Sequence, residues 1–137
     1  MSKFLIIESP YYTDVSALLR EGAEAELKSN NIGYDIISVP GALEIPAALN
    51  FSLSKNYDGF VVLGCVIRGE TSHYDIVCNE SARGIYALTL AHNLALGNAI
   101  LTVENKTQAI VRADPAQKNK GGDAAQAAVS MLKIKQS

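Results

Sequence analysis

Tryptophan is absent from the 137 residues of this sequence, and cysteine, methionine and proline are scarce. The two cysteines, Cys65 and Cys78, are too few for the disulfide framework that stabilises small secreted domains. No apolar run approaches the roughly 20 residues that a membrane-spanning helix requires. Residues 1–4 lead directly into an apolar run, without the pattern of a signal peptide. We therefore expect a cytoplasmic protein that does not insert into membranes.

Neither sign of charge dominates the chain. Twelve lysines and arginines stand against fourteen acidic residues, for a formal net charge of −2. This balance argues against nucleic acid or an anionic membrane as a partner, because both require a basic surface. Hydrophobic residues make up 48% of the chain, although a domain of this size buries only about two-thirds of its surface on folding. The excess predicts that residues 1–137 form one domain whose apolar surface is partly covered by other subunits.

Short apolar runs alternate along the chain with patterns that are typical of amphipathic helices. Continuous hydrophobicity over a few residues is typical of strands that are buried on both faces. The predicted strands are residues 4–7, 34–39, 60–67 and 99–103, and the predicted helices are about 13–30, a helix starting near 45, 75–96, 106–113 and 122–133. Strands separated by helices pair in parallel through right-handed crossovers. The sequence therefore predicts an α/β fold, a three-layer αβα sandwich with a parallel four-stranded sheet of flavodoxin-like type, with residues 60–67 in its centre.

Ligand sites in such folds lie outside the carboxyl ends of the strands, and the segment after residues 60–67 is the strongest candidate. It turns at a glycine and enters a helix, whose first N–H groups and dipole favour an anion. The Thr71 hydroxyl adds a donor, and His73 is suited to proton transfer near neutral pH. The alternative interpretation is that these polar residues only cap the helix and that Arg68 pairs with Glu70. Both interpretations fit the spacing.

Two other predicted strand ends carry acidic or aromatic residues. In residues 40–46, Glu44 stands between two prolines, and small neighbours allow a planar ligand to approach the backbone; the alternative is a rigid turn. Tyr11 offers an aromatic face after the first strand, or else packs on a neighbouring segment. No Walker A or GxGxxG motif is present, and the spacing of cysteine and histidine does not fit a zinc site. The residues therefore predict neither a nucleotide cofactor nor a metal.

Three segments together resemble the lumazine synthase family. They are Pro-Gly-Ala-Leu-Glu-Ile-Pro at residues 40–46, Gly-Cys-Val-Ile-Arg-Gly-Glu-Thr-Ser-His-Tyr-Asp at 64–75, and a run at 101–121 that contains Leu-Thr-Val-Glu-Asn and Asn-Lys-Gly. The resemblance is collinear over nearly the whole chain. It implies a transferase of riboflavin biosynthesis that condenses 5-amino-6-(D-ribitylamino)uracil with 3,4-dihydroxy-2-butanone 4-phosphate, without a cofactor. The products are 6,7-dimethyl-8-ribityllumazine, phosphate and water.

The resemblance also implies roles for individual residues. His73 matches the family's proton-transfer residue, and Tyr11 matches the aromatic residue that stacks on the pyrimidine ring. Glu70 and Thr71 fall at the site of the butanone phosphate, and Arg112 falls at the arginine that binds its phosphate group. The residues that match the wall of the ribitylaminouracil pocket are Ala42, Leu43, Glu44, Cys65, Val66 and Ile67.

The family forms homopentamers whose active sites lie between adjacent subunits, and some members assemble twelve pentamers into a capsid. Asn98 stands where many members contribute a phenylalanine across the interface, so the resemblance places Asn98 in a neighbour's substrate site. Residues 114–118 lack a glycine that many capsid-forming members carry, and the chain begins almost at its first strand. Both features favour a free pentamer, with a decamer or a capsid as alternatives.

A second function stays open beside the condensing enzyme. Residues 10–12 are Pro-Tyr-Tyr where the family often has Arg-Phe-Asn. Together with Asn98, this departure fits a pentameric flavin- or lumazine-binding protein with low turnover. Measurement of product formation from the two substrates distinguishes the two functions.

Overall fold

The computed structural model describes residues 2–137, in which strands alternate with helices as expected for an α/β fold. The strands are β1 (Lys3–Glu8), β2 (Gly33–Ser38), β3 (Gly59–Ile67) and β4 (Leu96–Val103). The helices are α1 (Thr13–Ser29), α2 (Ile45–Ser52), α3 (His73–His92), α4 (Lys106–Ala113) and α5 (Lys120–Gln136), and a short 3-10 turn at Ala42–Glu44 precedes α2. None of the helices within residues 2–137 combines the length and the apolar character needed to cross a bilayer.

The strands form one parallel sheet in the order β2-β1-β3-β4. Their side chains alternate between the two faces: Phe4 and Ile6 pack with α1, α4 and α5, whereas Leu5 and Ile7 pack with α2 and α3. β3 lies between two neighbours, and its first seven residues are buried. The predictions of a three-layer αβα sandwich of flavodoxin-like type, and of residues 60–67 as an inner strand, are therefore confirmed.

Helix α5 lies unusually close to the backbone of its neighbours. A Cβ atom at Gly97 of β4 would lie 1.7 Å from the carbonyl oxygen of Ala124, and a Cβ atom at Gly121 would lie 2.1 Å from the carbonyl oxygen of Leu19. These distances are far inside van der Waals contact, so only glycine fits at either position. The two glycines thereby set how closely α5 packs against β4 and α1.

The boundary between α3 and β4 differs from the prediction, which extended the helix to residue 96 and began the strand at 99. Asn93 adopts the left-handed conformation, with φ 54° and ψ 52°, and ends the helix at His92. The Leu94 N–H then donates to the Thr89 carbonyl at 3.0 Å, which also accepts from the Asn93 N–H, so both bonds close the last turn of the helix. Because the helix stops early, β4 begins at Leu96 and pairs with β3 along its full length.

Candidate active site

A cleft of about 430 Å³ opens at the carboxyl edge of the sheet. Three connections form its wall: the one after β1, the one between β2 and α2, and the one between β3 and α3. They meet here because the carboxyl ends of parallel strands lie at one edge of the sheet. The lining residues are Ser9, Tyr11, Tyr12, Gly41, Ala42, Leu43, Glu44, Cys65, Val66, Ile67, Gly69, Thr71, His73, Tyr74 and Val77.

Most of the residues that the sequence singled out meet in this cleft. Those that line it are Tyr11, Ala42, Leu43, Glu44, Cys65, Val66, Ile67, Thr71 and His73. Six lining residues were not among the predicted site residues: Ser9, Tyr12, Gly41, Gly69, Tyr74 and Val77. Val77 lies four residues after His73 on α3, so helical spacing from His73 is the signal that could have found it. Tyr74 directly follows His73 and does not share its helix face.

Glu70, Asn98 and Arg112 do not line the cleft of their own chain. Glu70 is exposed in the loop before α3. Arg112 is half-buried on α4, where its Nη1 donates to the Gln108 carbonyl at 3.1 Å. Asn98 pairs with Val62 in the sheet, and its Oδ1 accepts from the Ile100 N–H at 2.8 Å.

The loop that leads into α3 is held by Arg68. Its Nε donates to Glu104 Oε1 at 2.9 Å, and its Nη1 lies 3.7 Å from Asp75 Oδ1. The guanidinium also stacks over the Tyr74 ring, with 4.2 Å between Cζ and the ring centroid. The interpretation that Arg68 pairs with Glu70 is therefore wrong. The Glu70 carboxylate has no ion-pair partner within residues 2–137. The bond to Glu104 is the main cause that raises the pKa of Arg68.

His73 is the first residue of α3 and is exposed at the cleft. Its backbone N–H donates to the Thr71 hydroxyl oxygen at 3.3 Å, so Thr71 does satisfy one N–H of the helix start. This local bond leaves the imidazole ring free to face a ligand, and no side-chain hydrogen bond of the ring is present among residues 2–137. The capping interpretation and the ligand-site interpretation are thus compatible at this helix.

The floor of the cleft contains a protonated thiol. Cys65 is 8% exposed, and burial raises the pKa of its thiol from the ordinary value of 9.0 to about 11. At neutral pH the group is therefore a neutral thiol, which is a poor nucleophile. Burial also raises the pKa of the neighbouring Tyr12, as do Tyr11 and Cys65. These groups therefore form an uncharged wall at neutral pH.

The charge of the lining is one-sided. Glu44 contributes a carboxylate that lies over Gly41, with its Oε1 3.1 Å from the position of a Cβ there, and the lining contains no lysine or arginine among residues 2–137. Two cations lie just outside the lining, and both are already paired with carboxylates. Arg68 lies 4.2 Å from the centroid of the Tyr74 ring and pairs with Glu104, and Lys106 lies 5.8 Å from the centroid of the Tyr12 ring and pairs with Asp14 at 2.9 Å. A ligand that carries a phosphate would therefore need further positive charge from outside this chain's own cleft. Residues 2–137 contain no cluster of three histidine, cysteine or acidic side chains suited to a metal.

Tyr11 forms the open rim of the cleft. Its ring is 72% exposed and makes an edge-to-face contact with Tyr12, with ring centroids 4.9 Å apart. One face of an aromatic ring is thus available beside small residues and an exposed histidine. This combination can stack a planar ligand, approach it closely with backbone, and exchange protons with it. A parallel αβα sandwich with such a cleft is suited to an enzyme that acts on small planar molecules.

Comparison with known proteins identifies the family. The family model for 6,7-dimethyl-8-ribityllumazine synthase matches residues 1–136. The 6,7-dimethyl-8-ribityllumazine synthase of Zymomonas mobilis is 54% identical over 98% of this chain and 97% of its own length. That of Novosphingobium aromaticivorans is 53% identical over 99% and 98%, and that of Beijerinckia indica is 51% identical over 98% and 76%. The chain belongs to the 6,7-dimethyl-8-ribityllumazine synthase family, the transferases of riboflavin biosynthesis.

Proposed function

We propose that this chain makes 6,7-dimethyl-8-ribityllumazine in the cleft at the carboxyl edge of the sheet. It condenses 5-amino-6-(D-ribitylamino)uracil with 3,4-dihydroxy-2-butanone 4-phosphate and releases phosphate and water, the reaction of the family to which it belongs. The observation that carries the proposal is the convergence of residues 9–12, 41–44 and 65–77 around one cleft with His73 at its edge. The relatives named above are synthases, which disfavours a binding protein with low turnover.

His73 moves the protons of the condensation. The amine nitrogen that attacks the ketone must lose protons, and the ketone oxygen must gain them before it departs as water. A positioned histidine accelerates such transfers because both of its protonation states are accessible near neutral pH. His73 fits this role because its ring is exposed at the cleft and is not held by another side chain within residues 2–137.

The uracil ring stacks on Tyr11, and its ribityl chain extends along the strand ends. Tyr11 is supported for this role by its open ring face. The backbone around Gly41 can approach a flat ligand closely, and Glu44 can accept hydrogen bonds from hydroxyl or N–H groups. The remaining contacts to this substrate come from Ala42, Leu43, Cys65, Val66 and Ile67. Fixed contacts of this kind hold two substrates face to face, which by itself contributes about 7–11 kcal/mol at best to lowering the barrier.

The phosphate substrate binds at the N-terminus of α3, beside Glu70 and Thr71. The N–H groups there and the helix dipole favour an anion, but Glu70 adds negative charge and the lining holds no cation of its own among residues 2–137. Arg112 supplies the missing charge from an adjacent subunit. It stabilises the phosphate as negative charge grows on the departing oxygens.

A homopentamer with shared active sites is therefore part of the proposal. Its support is the apolar surface that α3 and α2 leave uncovered. On α3, Leu90 is 79% exposed and Ile76 and Tyr86 are also exposed, and on α2, Phe51 is 69% exposed. Burial of such side chains against neighbouring subunits is favourable by about 25 cal/mol per Å² of apolar area. Asn98 then belongs to a neighbour's substrate site. We assign the enzyme to the cytoplasm as a free pentamer.

A fluorescence assay tests the enzymatic proposal. The purified protein is mixed with both substrates, and lumazine fluorescence is followed against the spontaneous reaction. His73→Ala is expected to slow turnover severalfold or more, because the condensation loses its proton carrier. His92→Ala removes the other histidine of the same helix, at its far end, and is expected to keep wild-type turnover. Product formation no faster than the spontaneous rate, by a folded wild-type protein, contradicts the proposal.

Sedimentation tests the assembly. The wild-type protein is expected to sediment as a pentamer in analytical ultracentrifugation. Leu90→Asp places a charge on the exposed face of α3, and burial of an unpaired charge in an interface is strongly unfavourable. This variant is expected to dissociate into smaller species and to lose turnover with the pentamer. A wild-type protein that sediments as a monomer and is fully active contradicts the shared site.

A further inference from the structure

A buried carboxylate lies beside the cleft without lining it. Glu8 is the last residue of β1, and its side chain is 1% exposed. Removal of a carboxylate from water is costly unless the group is paired and hydrogen-bonded. The partners of Glu8 therefore have to be in place whenever the protein is folded.

Those partners come from two separate elements, α1 and β2. Arg20 of α1 grips both carboxylate oxygens: its Nε donates to Oε1 at 3.0 Å, and its Nη2 donates to Oε2. The Ser38 hydroxyl at the end of β2 donates to Oε2 at 2.7 Å, and the Ser16 hydroxyl of α1 lies 3.4 Å from Oε1. A planar guanidinium fork on a carboxylate fixes orientation as well as distance. The bond to Glu8 is also the main cause that raises the pKa of Arg20.

Both chain segments that leave this point line the cleft. After Glu8 come Ser9 and Tyr11, and the Ser9 N–H donates to the Leu63 carbonyl at 2.9 Å. After Ser38, the Val39 N–H donates to the Glu8 carbonyl at 2.9 Å, and the chain continues into the 3-10 turn at Ala42–Glu44. One residue thus anchors the start of both segments.

The histidine loop has a different anchor. Residues 69–72 are held by Arg68 and its bonds to Glu104 and Asp75, which share no side chain with the Glu8 cluster. A substitution at Glu8 is therefore expected to displace the Tyr11 segment and the Ala42–Glu44 turn more than it displaces His73.

We infer that Glu8 and Arg20 are positioning residues for the uracil substrate: they align the two segments that hold it, and leave proton transfer at His73 to a separate anchor. The inference rests on the proposed function for its kinetic readout. If the inference holds, disturbing the Glu8–Arg20 pair raises KM for the ribitylaminouracil and has little effect on kcat or on KM for the phosphate substrate.

The test is Glu8→Gln, which keeps the shape of the side chain and removes the charge that Arg20 grips. The expected result is an increase of about tenfold in KM for the ribitylaminouracil, with kcat and the other KM within about twofold. Hydrogen exchange of residues 9–12 and 39–44 is expected to rise in the same variant. Arg20→Lys keeps the positive charge but loses the two-pronged guanidinium contact, so it is expected to give an intermediate KM for the ribitylaminouracil. This variant replaces Glu8→Gln as the test if Glu8→Gln does not fold.

Asp35→Asn is the control for loss of a paired sheet carboxylate that lies away from the cleft and is more exposed than Glu8. Asp35 is also a sheet carboxylate with two partners, since it accepts from the Tyr57 hydroxyl at 2.6 Å and pairs with Lys3 at 3.1 Å, but it lies toward the amino end of β2. The KM values of the Asp35→Asn variant for both substrates are expected to equal those of the wild type. An equal increase in the control, or no increase in either test variant, overturns the inference.

The exchange measurement separates this inference from the proposed function. If the wild-type protein makes no lumazine, the proposed function fails and the exchange data alone decide the positioning role. Unchanged exchange of both segments in Glu8→Gln then overturns that role. Increased exchange confined to these segments supports it.

Discussion

The thiol of Cys65 provides a sharp test of the cleft, because its ionisation depends on burial there. In the variant Cys78→Ser, Cys65 is the sole cysteine of the chain, so alkylation by iodoacetamide reports on this side chain alone. Only the thiolate reacts. Burial disfavours the charged thiolate and raises the pKa from 9.0 to about 11, so reaction is expected to be slow at neutral pH and to accelerate as pH rises.

The size of the effect follows from the two pKa values. At pH 8 a thiol with a pKa of 9.0 is about one-tenth ionised, whereas a thiol with a pKa of about 11 is about one-thousandth ionised. Cys65 is therefore expected to react about a hundredfold more slowly than an unperturbed thiol of equal access. Its rate is expected to rise about tenfold for each pH unit up to roughly pH 10.

Mass spectrometry of samples quenched at intervals between pH 7 and pH 10 measures these rates. Guanidinium-unfolded protein gives the reference rate of the same thiol without its surroundings. A labelling rate that levels off below pH 9, or that equals the unfolded reference at pH 8, would refute the argument. Such a result would mean that Cys65 is an activated, solvated thiol at the site.

Three further predictions concern the fold and the phosphate site. Gly97→Ala is expected to lower the free energy of unfolding by about 3 kcal/mol or more, because the added methyl group meets the Ala124 carbonyl oxygen. Urea unfolding at fixed protein concentration measures this free energy. Gly69→Ala is the control: no atom lies within 4 Å of the added methyl group, so the free energy of unfolding is expected to change by less than about 1 kcal/mol. Arg112→Ala is expected to raise KM mainly for the butanone phosphate in steady-state kinetics, and equal increases for both substrates would contradict its role at the phosphate. Asn93→Gly is expected to keep the wild-type unfolding midpoint. Asn93→Val is expected to lower the free energy of unfolding by about 1–2 kcal/mol, because a β-branched residue disfavours the left-handed conformation. Equal midpoints for these two variants would count against the role of Asn93 in ending α3.

Much of the architecture was predictable because it depends on local patterns. The apolar run at residues 60–67 predicted an inner strand, and β3 occupies that place. The rule that parallel strands end at one edge was enough to bring Tyr11, Glu44 and His73 into one cleft. These predictions succeeded because a strand's burial and a chain's direction are encoded in the spacing of neighbouring residues.

Other features escaped the sequence because they depend on partners far along the chain. Arg68 pairs with Glu104, 36 residues away, instead of with nearby Glu70. Glu8 is the clearest case: a charged residue in a strand pattern gives no local sign that Arg20 and Ser38 will neutralise it. The end of α3 was misplaced for a related reason, because the left-handed conformation of Asn93 interrupts a helical pattern that composition alone would extend.

Hydrophobic periodicity and three short motifs were sufficient to indicate the αβα fold, the family and most of the residues that line the cleft. Only the folded chain shows that Cys65 is a buried neutral thiol and that the cleft is lined without lysine or arginine among residues 2–137. It also shows that Glu8 joins the ends of β1 and β2 through its bonds to Ser38 and Val39. The physical reason is that burial, ionisation and pairing depend on which distant groups the strand order places together, and spacing along the sequence carries no record of that order.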